Sequence, residues 1–189
     1  RLALIDGPLL RDADIDHAGY MAGLMKPWRT GMAVFRSAGE TDFSLDTLLA
    51  LPATSGLTTE DFYPGPLWRF DRGNTLYVRL ANGSLFSATE RQVMDGANAA
   101  LVENQDGEWE LVQFSTVTAL GDGAYALSDL LRGQKGTEHA MRAPVPTGAR
   151  FVLVDEAVQQ STLDAATVGL ERNWRFGPAD RDIASDDFD

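Results

Sequence analysis

The chain has 189 residues, with 28 acidic against 16 basic side chains, a formal net charge of -12 and no cysteine. A domain of this length buries roughly 70% of its unfolded surface without a disulfide, and the missing cysteines exclude thiol nucleophiles and thiolate metal sites. The acidic excess argues against nucleic acid as a partner, because phosphates would be repelled.

The first part of the chain predicts a short-stranded lobe over residues 1–58. Residues 2–5 form a candidate strand that a Gly-Pro turn ends, and residues 31–36 form a second strand. Residues 46–51 fit either a short helix or an apolar loop before Pro52. Long connections separate these elements, so we expect this lobe to be irregular.

Regular alternation of apolar side chains begins near residue 76. Leu76, Val78 and Leu80 share one face of a predicted strand, and Asn82-Gly83 predicts a hairpin turn towards residues 85–86, because Asn-Gly tolerates positive φ. This pattern is typical of an antiparallel hairpin.

The best helix candidate covers residues 88–95. Ser87 stands where an N-cap is expected, Glu90 lies at the spacing of a capping box, and Gly96 can end the helix.

Further predicted strands, joined by turn signals, indicate an antiparallel β-sandwich or small barrel over residues 59–156. Asn104 to Gly107 joins two of the strands into a hairpin, and Gly121-Asp122-Gly123 turns the chain into the next one. Val112 and Phe114 would share one face of their strand, with Trp109, Leu111 and Gln113 on the other. The predicted strands cover residues 99–103, 108–118, 124–131 and 150–154. The fold class is therefore mainly β.

Residues 157–189 are predicted to be a C-terminal extension or a linker to a following module. Residues 167–172 fit an edge strand, and 174–178 close it. Five of the ten residues 180–189 are acidic, and this segment is expected to fray. The first residue is Arg rather than Met, and no signal-peptide pattern follows it, which indicates a fragment of a longer polypeptide. No run is long and apolar enough to predict a membrane span.

The sequence predicts no metal site and no cofactor. Asp12, Asp14 and Asp16 alternate as in a calcium loop, but His17 stands where an EF-hand needs Gly, and Gly23 where it needs Glu. A solvated acidic turn explains the three acids better.

No catalytic residue is predicted either. Glycoside hydrolysis needs two carboxylates facing one cleft. Glu103, Glu108 and Glu110 surround one hairpin, but a polar outer strand face is the ordinary explanation for Glu108 and Glu110. The two histidines, His17 and His139, are too few for a multi-histidine metal centre, and no nucleophile elbow accompanies them. His139 is expected on a surface loop.

Aromatic side chains supply the candidate contact residues. Trp28, Trp68 and Tyr63 could form a platform for a sugar or a protein, and Trp68 and Tyr63 belong to the aromatic-rich run at residues 62–70. Aromatic side chains are more often buried, so packing in a core or between lobes is the preferred interpretation.

The most informative segment is SDLLRGQKGTEHA at residues 128–140. Its glycines permit positive φ or close backbone approach, and its Arg can fork onto a carboxylate or onto carbonyls. Its Thr and Glu can bond to free amides. The residue order of a phosphate-binding loop is not met, so the segment predicts a structural turn between two strands. The turn comprises Arg132, Gly133, Gln134, Gly136, Thr137 and Glu138.

This segment resembles the LSGLLRGxRGTE stretch of the tail-tip host-specificity proteins of tailed phages and of α-proteobacterial gene transfer agents. Four other segments match the same family in the same order, from residue 2 to about 156. They read LALIDGPLLRDADID, LYVRLANGSLFSATE, ANAALV with GEWELVQFSTV, and GARFVLVD. The chain is thus similar to the C-terminal region of the baseplate hub, or megatron, protein.

The resemblance implies a non-catalytic structural and interaction module of a phage-like tail tip, acting in tail assembly and host-envelope attachment. It implies tail and baseplate proteins as partners and a symmetric homo-oligomer in the particle. A host surface glycan or receptor is a further expected partner. Such particles assemble in the bacterial cytoplasm and act outside the cell. A glycosidase-like barrel lies elsewhere in such parents, and no catalytic position here corresponds to it. The alternative is a carbohydrate-binding module for host glycan.

Overall fold

The computed structural model describes residues 1–189 and is mainly β, as predicted. The chain forms two compact units. The first comprises residues 1–5, 11–53 and 156–189, and the second comprises residues 6–10 and 54–155. None of the helices combines the length and apolar character that crossing a membrane requires.

The first unit is built from two three-stranded antiparallel sheets. One sheet has the order β1-β2-β11 and the other β12-β3-β4. Buried methionines pack with Val34 and Leu49 at the core of this unit. The strands are β1 (Leu2–Ile5), β2 (Tyr20–Gly23), β3 (Met32–Ser37), β4 (Ser44–Leu49), β11 (Gln159–Gln160) and β12 (Asn173–Pro178).

Two sequence predictions for this unit are wrong. Residues 46–51 were expected to be helix or loop, but 44–49 form β4, because Leu49 pairs with Met32 of β3 and enters the core. The edge strand expected at 167–172 lies instead at 173–178, where β12 pairs with β3. A 3₁₀ turn capped by Asp164 precedes it.

The C-terminal residues 180–189 are folded rather than frayed. Phe188 is buried and packs edge-on against Phe35, with ring centroids 5.7 Å apart. Asp189 and Phe176 exchange two backbone hydrogen bonds of 3.1 Å. Gly177 makes room for this packing, because a Cβ there would lie 2.6 Å from the Phe188 ring. The segment 157–189 therefore completes both sheets of the first unit.

The second unit is a closed six-stranded antiparallel barrel with the strand order β10-β5-β6-β9-β8-β7. A barrel leaves no sheet edge unpaired. Its interior is filled by apolar side chains, including Val112 and Phe114 on the predicted face. The strands are β5 (Ser55–Thr58), β6 (Leu76–Asn82), β7 (Ala99–Glu103), β8 (Trp109–Gly121), β9 (Ala124–Leu131) and β10 (Arg150–Leu153), and helix α1 spans Glu90–Met94.

Two predictions for the barrel need correction. Asn82-Gly83 does not form a hairpin with residues 85–86, because both edges of β6 are already occupied by β5 and β9. Helix α1 is capped by Thr89, whose hydroxyl accepts the amide of Gln92 at 3.3 Å in a capping box. Ser87, the predicted cap, instead accepts the amide of Val117 at 2.9 Å.

Candidate functional site

The turn after β9 has left-handed backbone at three positions. Gly133 has φ 57° and Gly136 has φ 84°, and between them Lys135 has φ 55°. A Cβ on Gly133 would lie 2.9 Å from Cα of Glu138, whereas a Cβ on Gly136 would meet nothing within 4 Å. Gly133 is therefore required by both conformation and space. A 3₁₀ turn, Gln134–Ala140, follows.

Arg132 is wholly buried and binds a buried carboxylate of β8. Its Nε and Nη2 donate to the two carboxylate oxygens of Glu110 at 2.8 and 2.9 Å. The amide of Gly133 donates to the same carboxylate at 3.0 Å. Glu110 was expected on a polar outer face. It lies inside because residues 110, 112 and 114 share one face of β8, and Val112 and Phe114 on that face belong to the barrel core.

The remaining guanidinium nitrogen of Arg132 reaches the segment between β5 and β6. Nη1 donates to the carbonyl of Tyr63 at 2.8 Å and lies 3.6 Å from a carboxylate oxygen of Asp71. The guanidinium also stacks 3.8 Å above the ring centroid of Phe62. Arg132 thus connects β8, the end of β9 and residues 62–71, which we name the aromatic loop.

Asp71 closes the aromatic loop. Its carboxylate accepts hydrogen bonds from the amides of Gly73 and Asn74 at 3.0 and 3.1 Å and from the Asn74 side chain at 2.7 Å. Burial alone would raise the pKa of Asp71, but these hydrogen bonds and the charge of Arg132 outweigh it, and the pKa is lowered. Asp71 is therefore held as a carboxylate.

The ends of the aromatic loop are fixed to the barrel by backbone pairing. Phe62 and Val145 exchange two hydrogen bonds of 2.8 Å, and Asp71 and Leu130 exchange bonds of 2.7 and 3.0 Å. Gly65 lies against the ion cluster, where a Cβ would be 2.1 Å from a carboxylate oxygen of Asp71. The loop is consequently held at both ends, and Gly65 leaves room for the ion cluster.

The aromatic loop presents two of the predicted contact residues to solvent. Trp68 is 91% exposed and has φ 63°, and Tyr63 is 53% exposed. A bulky residue with positive φ is strained, and such strain persists where the surroundings over-determine it. Trp28 belongs to the first unit, where it is half-buried and donates to the carbonyl of Ala50 at 3.2 Å. The preferred interpretation of Trp68 as buried is wrong.

The other members of the turn have different environments. The Thr137 hydroxyl accepts the amide of Leu111 and donates to the carbonyl of Gln134, both at 2.8 Å. The Gln134 side chain donates to the carbonyl of Arg132 at 2.9 Å. Glu138 is exposed. The turn residues therefore bond mainly to the barrel and to one another.

A groove with a volume of about 450 Å³ borders the turn. Lys135 lines it and donates to the carbonyls of Leu9 and Leu10 at 2.7 and 3.3 Å. His139 also lines it, is exposed as expected, and has Nδ1 3.1 Å from the carbonyl of Gly136.

The carboxylates considered for catalysis are each paired with a cation. Glu108 binds Arg142 and accepts from the Asn104 side chain at 2.9 Å, and Glu103 binds Arg150. The hydrogen bond from Asn104, together with the charge of Arg142, lowers the pKa of Glu108. A general acid requires a raised pKa. Glu108 is therefore held in its ionised form.

Within the acidic run at residues 12–16, Asp14 accepts hydrogen bonds from residues nearby in the sequence. The Asp14 carboxylate accepts the Tyr20 hydroxyl at 2.7 Å and the Arg11 amide at 2.8 Å. No group of three His, Asp or Glu side chains is placed to hold a metal ion.

Three residues around the Arg132 guanidinium were not predicted from the sequence, namely Asp71, Phe62 and Gly65. A signal for Asp71 was present, because Asp followed by Gly and Asn two and three residues later is typical of a side-chain-closed turn. No local signal links any of the three to Arg132, which lies 61 or more residues further along the chain.

The closed barrel and the two small sheets define a mainly β protein. A family model described as Rcc01698-like, C-terminal matches residues 53–152, which is 100 of the 189 residues and nearly the whole barrel. The chain belongs to this family, which is named after a gene transfer agent-associated protein of Rhodobacter. No protein with a curated description matches the chain.

Proposed function

We propose that the chain is a structural and interaction module of the baseplate hub at a phage-like tail tip. In this role it contributes to tail assembly and to attachment at the host envelope. The observation that carries the proposal is the family match over the barrel. The turn at residues 132–138 supports it, because Arg132 binds both the barrel and the aromatic loop. The partners are other tail and baseplate proteins.

The geometry of the aromatic loop supports a contact role. Protein interfaces are enriched in Trp, Tyr and Arg, and their strongest contacts come from few, well-fixed side chains. Trp68 and Tyr63 stand on a loop that the barrel already immobilises. A pre-ordered loop loses little conformational entropy on binding, which favours affinity.

The proposal includes no catalysis by this segment. Both carboxylate oxygens of Glu110 are occupied by Arg132. The lowered pKa of Glu108 makes that carboxylate unsuited to donate a proton near neutral pH. We expect no hydrolysis of peptidoglycan or of chromogenic glycosides by the chain. Turnover that Glu108→Gln abolishes would contradict this part.

Location in the particle tests the function directly. Antibodies raised against the chain should label one end of the tail in purified particles, and particles lacking this segment should be incomplete at that end or fail to attach to host cells. Particles without the chain that remain complete and attach normally would contradict the proposal. A titration with neutral oligosaccharides, followed by Trp fluorescence, separates this role from carbohydrate binding.

A further inference from the structure

A small polar pocket opens at the end of the β12-β3-β4 sheet in the first unit, where β3 ends and β4 and β12 begin. Its volume is about 210 Å³, which is less than the pockets that hold drug-sized ligands. One wall is the turn between β3 and β4, residues 38–43, and the other is the segment 165–172. Its polar lining residues are Arg36, Ser37, Asp42, Ser44, Thr167 and Arg172.

Both walls of the pocket are held by hydrogen bonds. The Ser37 hydroxyl accepts the amide of Gly39 at 3.1 Å, and the Asn173 side chain donates to the carbonyl of Gly39 at 3.0 Å, which ties the turn to β12. In the other wall, the Thr167 hydroxyl donates to the carbonyl of Asp164 at 2.7 Å. The pocket is therefore formed before a ligand binds, which lowers the entropic cost of binding.

The charge of Arg36 is already compensated within the protein. Its Nη1 lies 3.1 Å from a carboxylate oxygen of Asp46, whose side chain is fully buried. Its Nη2 donates to the carbonyl of Thr162 at 3.2 Å. Arg36 and Asp46 together add no net charge to the pocket, so the charge that a ligand meets comes from Arg172 and Asp42.

Arg172 and Asp42 have opposite charges, and neither forms an ion pair. The Arg172 guanidinium donates to the carbonyl of its neighbour Glu171 at 2.8 Å. The Asp42 carboxylate accepts the hydroxyl of its neighbour Thr41 at 3.0 Å. One cation and one anion thus line the same pocket, and more than 4.0 Å separates their charged atoms.

This arrangement of charges selects a ligand that carries both signs. Arg172 would attract a simple anion and Asp42 would repel it, and the reverse holds for a simple cation. A ligand with a carboxylate and an ammonium group satisfies both residues, because a guanidinium binds carboxylates as a planar fork and a carboxylate accepts the protons of an ammonium. The Ser44 and Thr167 hydroxyls supply further polar groups at the walls.

We propose that this pocket binds a small zwitterion of the amino-acid class, with the ligand carboxylate on Arg172 and its ammonium group on Asp42. The volume of about 210 Å³ admits a single amino acid rather than an oligomer. The site goes beyond the proposed function, because it lies in the first unit and not in the barrel that the family model covers.

A titration of the full chain with L-alanine at neutral pH, followed by the NMR signals of the backbone amides, tests the proposal. We expect saturable shifts confined to residues 36–44 and 165–173, with a dissociation constant in the millimolar range that is typical of weak small ligands. Propionate lacks the ammonium group of alanine, and ethylamine lacks its carboxylate. Each should bind at least tenfold more weakly than L-alanine.

Two variants test the assignment of the charges. Arg172→Gln and Asp42→Asn should each weaken L-alanine binding at least tenfold, and Asn tolerates the φ of 59° at position 42. Arg91→Gln, which removes a 90% exposed arginine from the barrel unit, is the matched control and should bind as the unchanged chain does. The amide spectrum of each variant shows whether the fold is retained.

Three results would overturn the proposal. They are the absence of a saturable shift with L-alanine, propionate or inorganic phosphate binding as tightly as L-alanine, and L-alanine binding that Asp42→Asn leaves unchanged. None of them bears on the labelling of the tail end in particles, so the proposed function is tested separately.

Discussion

The guanidinium of Arg132 uses all three of its nitrogens inside the protein. Two bind the Glu110 carboxylate, and the third binds the Tyr63 carbonyl near Asp71. The planar fork of Arg matches a carboxylate in a way that the single ammonium of Lys cannot. Arg132 therefore has a structural role, because its hydrogen bonds are made inside the protein.

Replacing Arg132 should destabilise the protein, because it leaves the buried carboxylates of Glu110 and Asp71 without their cation. We expect Arg132→Met to lower the free energy of unfolding by about 3–5 kcal/mol, because Glu110 and Asp71 lose their shared cation. The double variant Arg132→Met with Glu110→Leu should be less destabilised than Arg132→Met alone, since an apolar pair replaces one charge pair. Urea unfolding measures both, and a double variant less stable than the single one would contradict this explanation.

Gly133 and Gly136 form a matched pair for a second prediction. Both have positive φ, but only Gly133 lacks room for a Cβ. Gly136→Ala should cost about 1 kcal/mol through backbone strain alone, and Gly133→Ala should cost more because Glu138 must also move. Equal losses in thermal unfolding would show that space at Gly133 is unimportant.

At the scale of elements, the aromatic loop depends on an ionised Asp71. The lowered pKa of Asp71 means that its contribution to stability is fully present above its unfolded pKa, near 4, and is lost as the pH falls through the folded pKa. We expect Asp71→Asn to be less stable at pH 7 and to lose less stability than the unchanged chain between about pH 4 and pH 2. Parallel losses in the two proteins on acid titration would contradict this.

Elements whose signals are local were predictable from the sequence. The hairpin of β7 and β8 and the turn before β9 lie where Gly107 and Gly121 to Gly123 predict them, because turn chemistry acts over a few residues. The predictions were wrong where a strand that is distant in sequence determines the structure of a segment. The hairpin predicted at Asn82-Gly83 was wrong, because β6 pairs with β5 on one side and with β9 on the other.

In the candidate site, too, local features were predictable and contacts between residues distant in sequence were not. That Arg132 would bind a carboxylate or carbonyls could be predicted from its residue type. Which carboxylates it binds could not, because Glu110 and Asp71 are 22 and 61 residues away. The exposure of Trp68 was also missed, because aromatic side chains are usually buried and the neighbouring sequence did not predict a positive φ at this residue.

For the whole molecule, the chain leaves the first unit after Ala53 and returns to it at Glu156. The barrel thus has its own closed hydrogen-bonding and core. We expect a fragment covering residues 6–155 to retain the barrel, with the near-ultraviolet circular dichroism of buried Trp109. The first unit should lose its fold in this fragment, since β1, β11 and β12 are missing. A fragment that is wholly unfolded would contradict the division into units.

Amide hydrogen exchange on Arg132→Lys tests most directly the central claim that Arg132 fixes the aromatic loop. Lys keeps the charge but cannot bind Glu110 and Tyr63 together. We expect faster exchange at Gly133 and, in the same variant, at Phe62 and Asp71, while β7 stays protected. Unchanged exchange at Phe62 and Asp71 would show that the loop is held without Arg132.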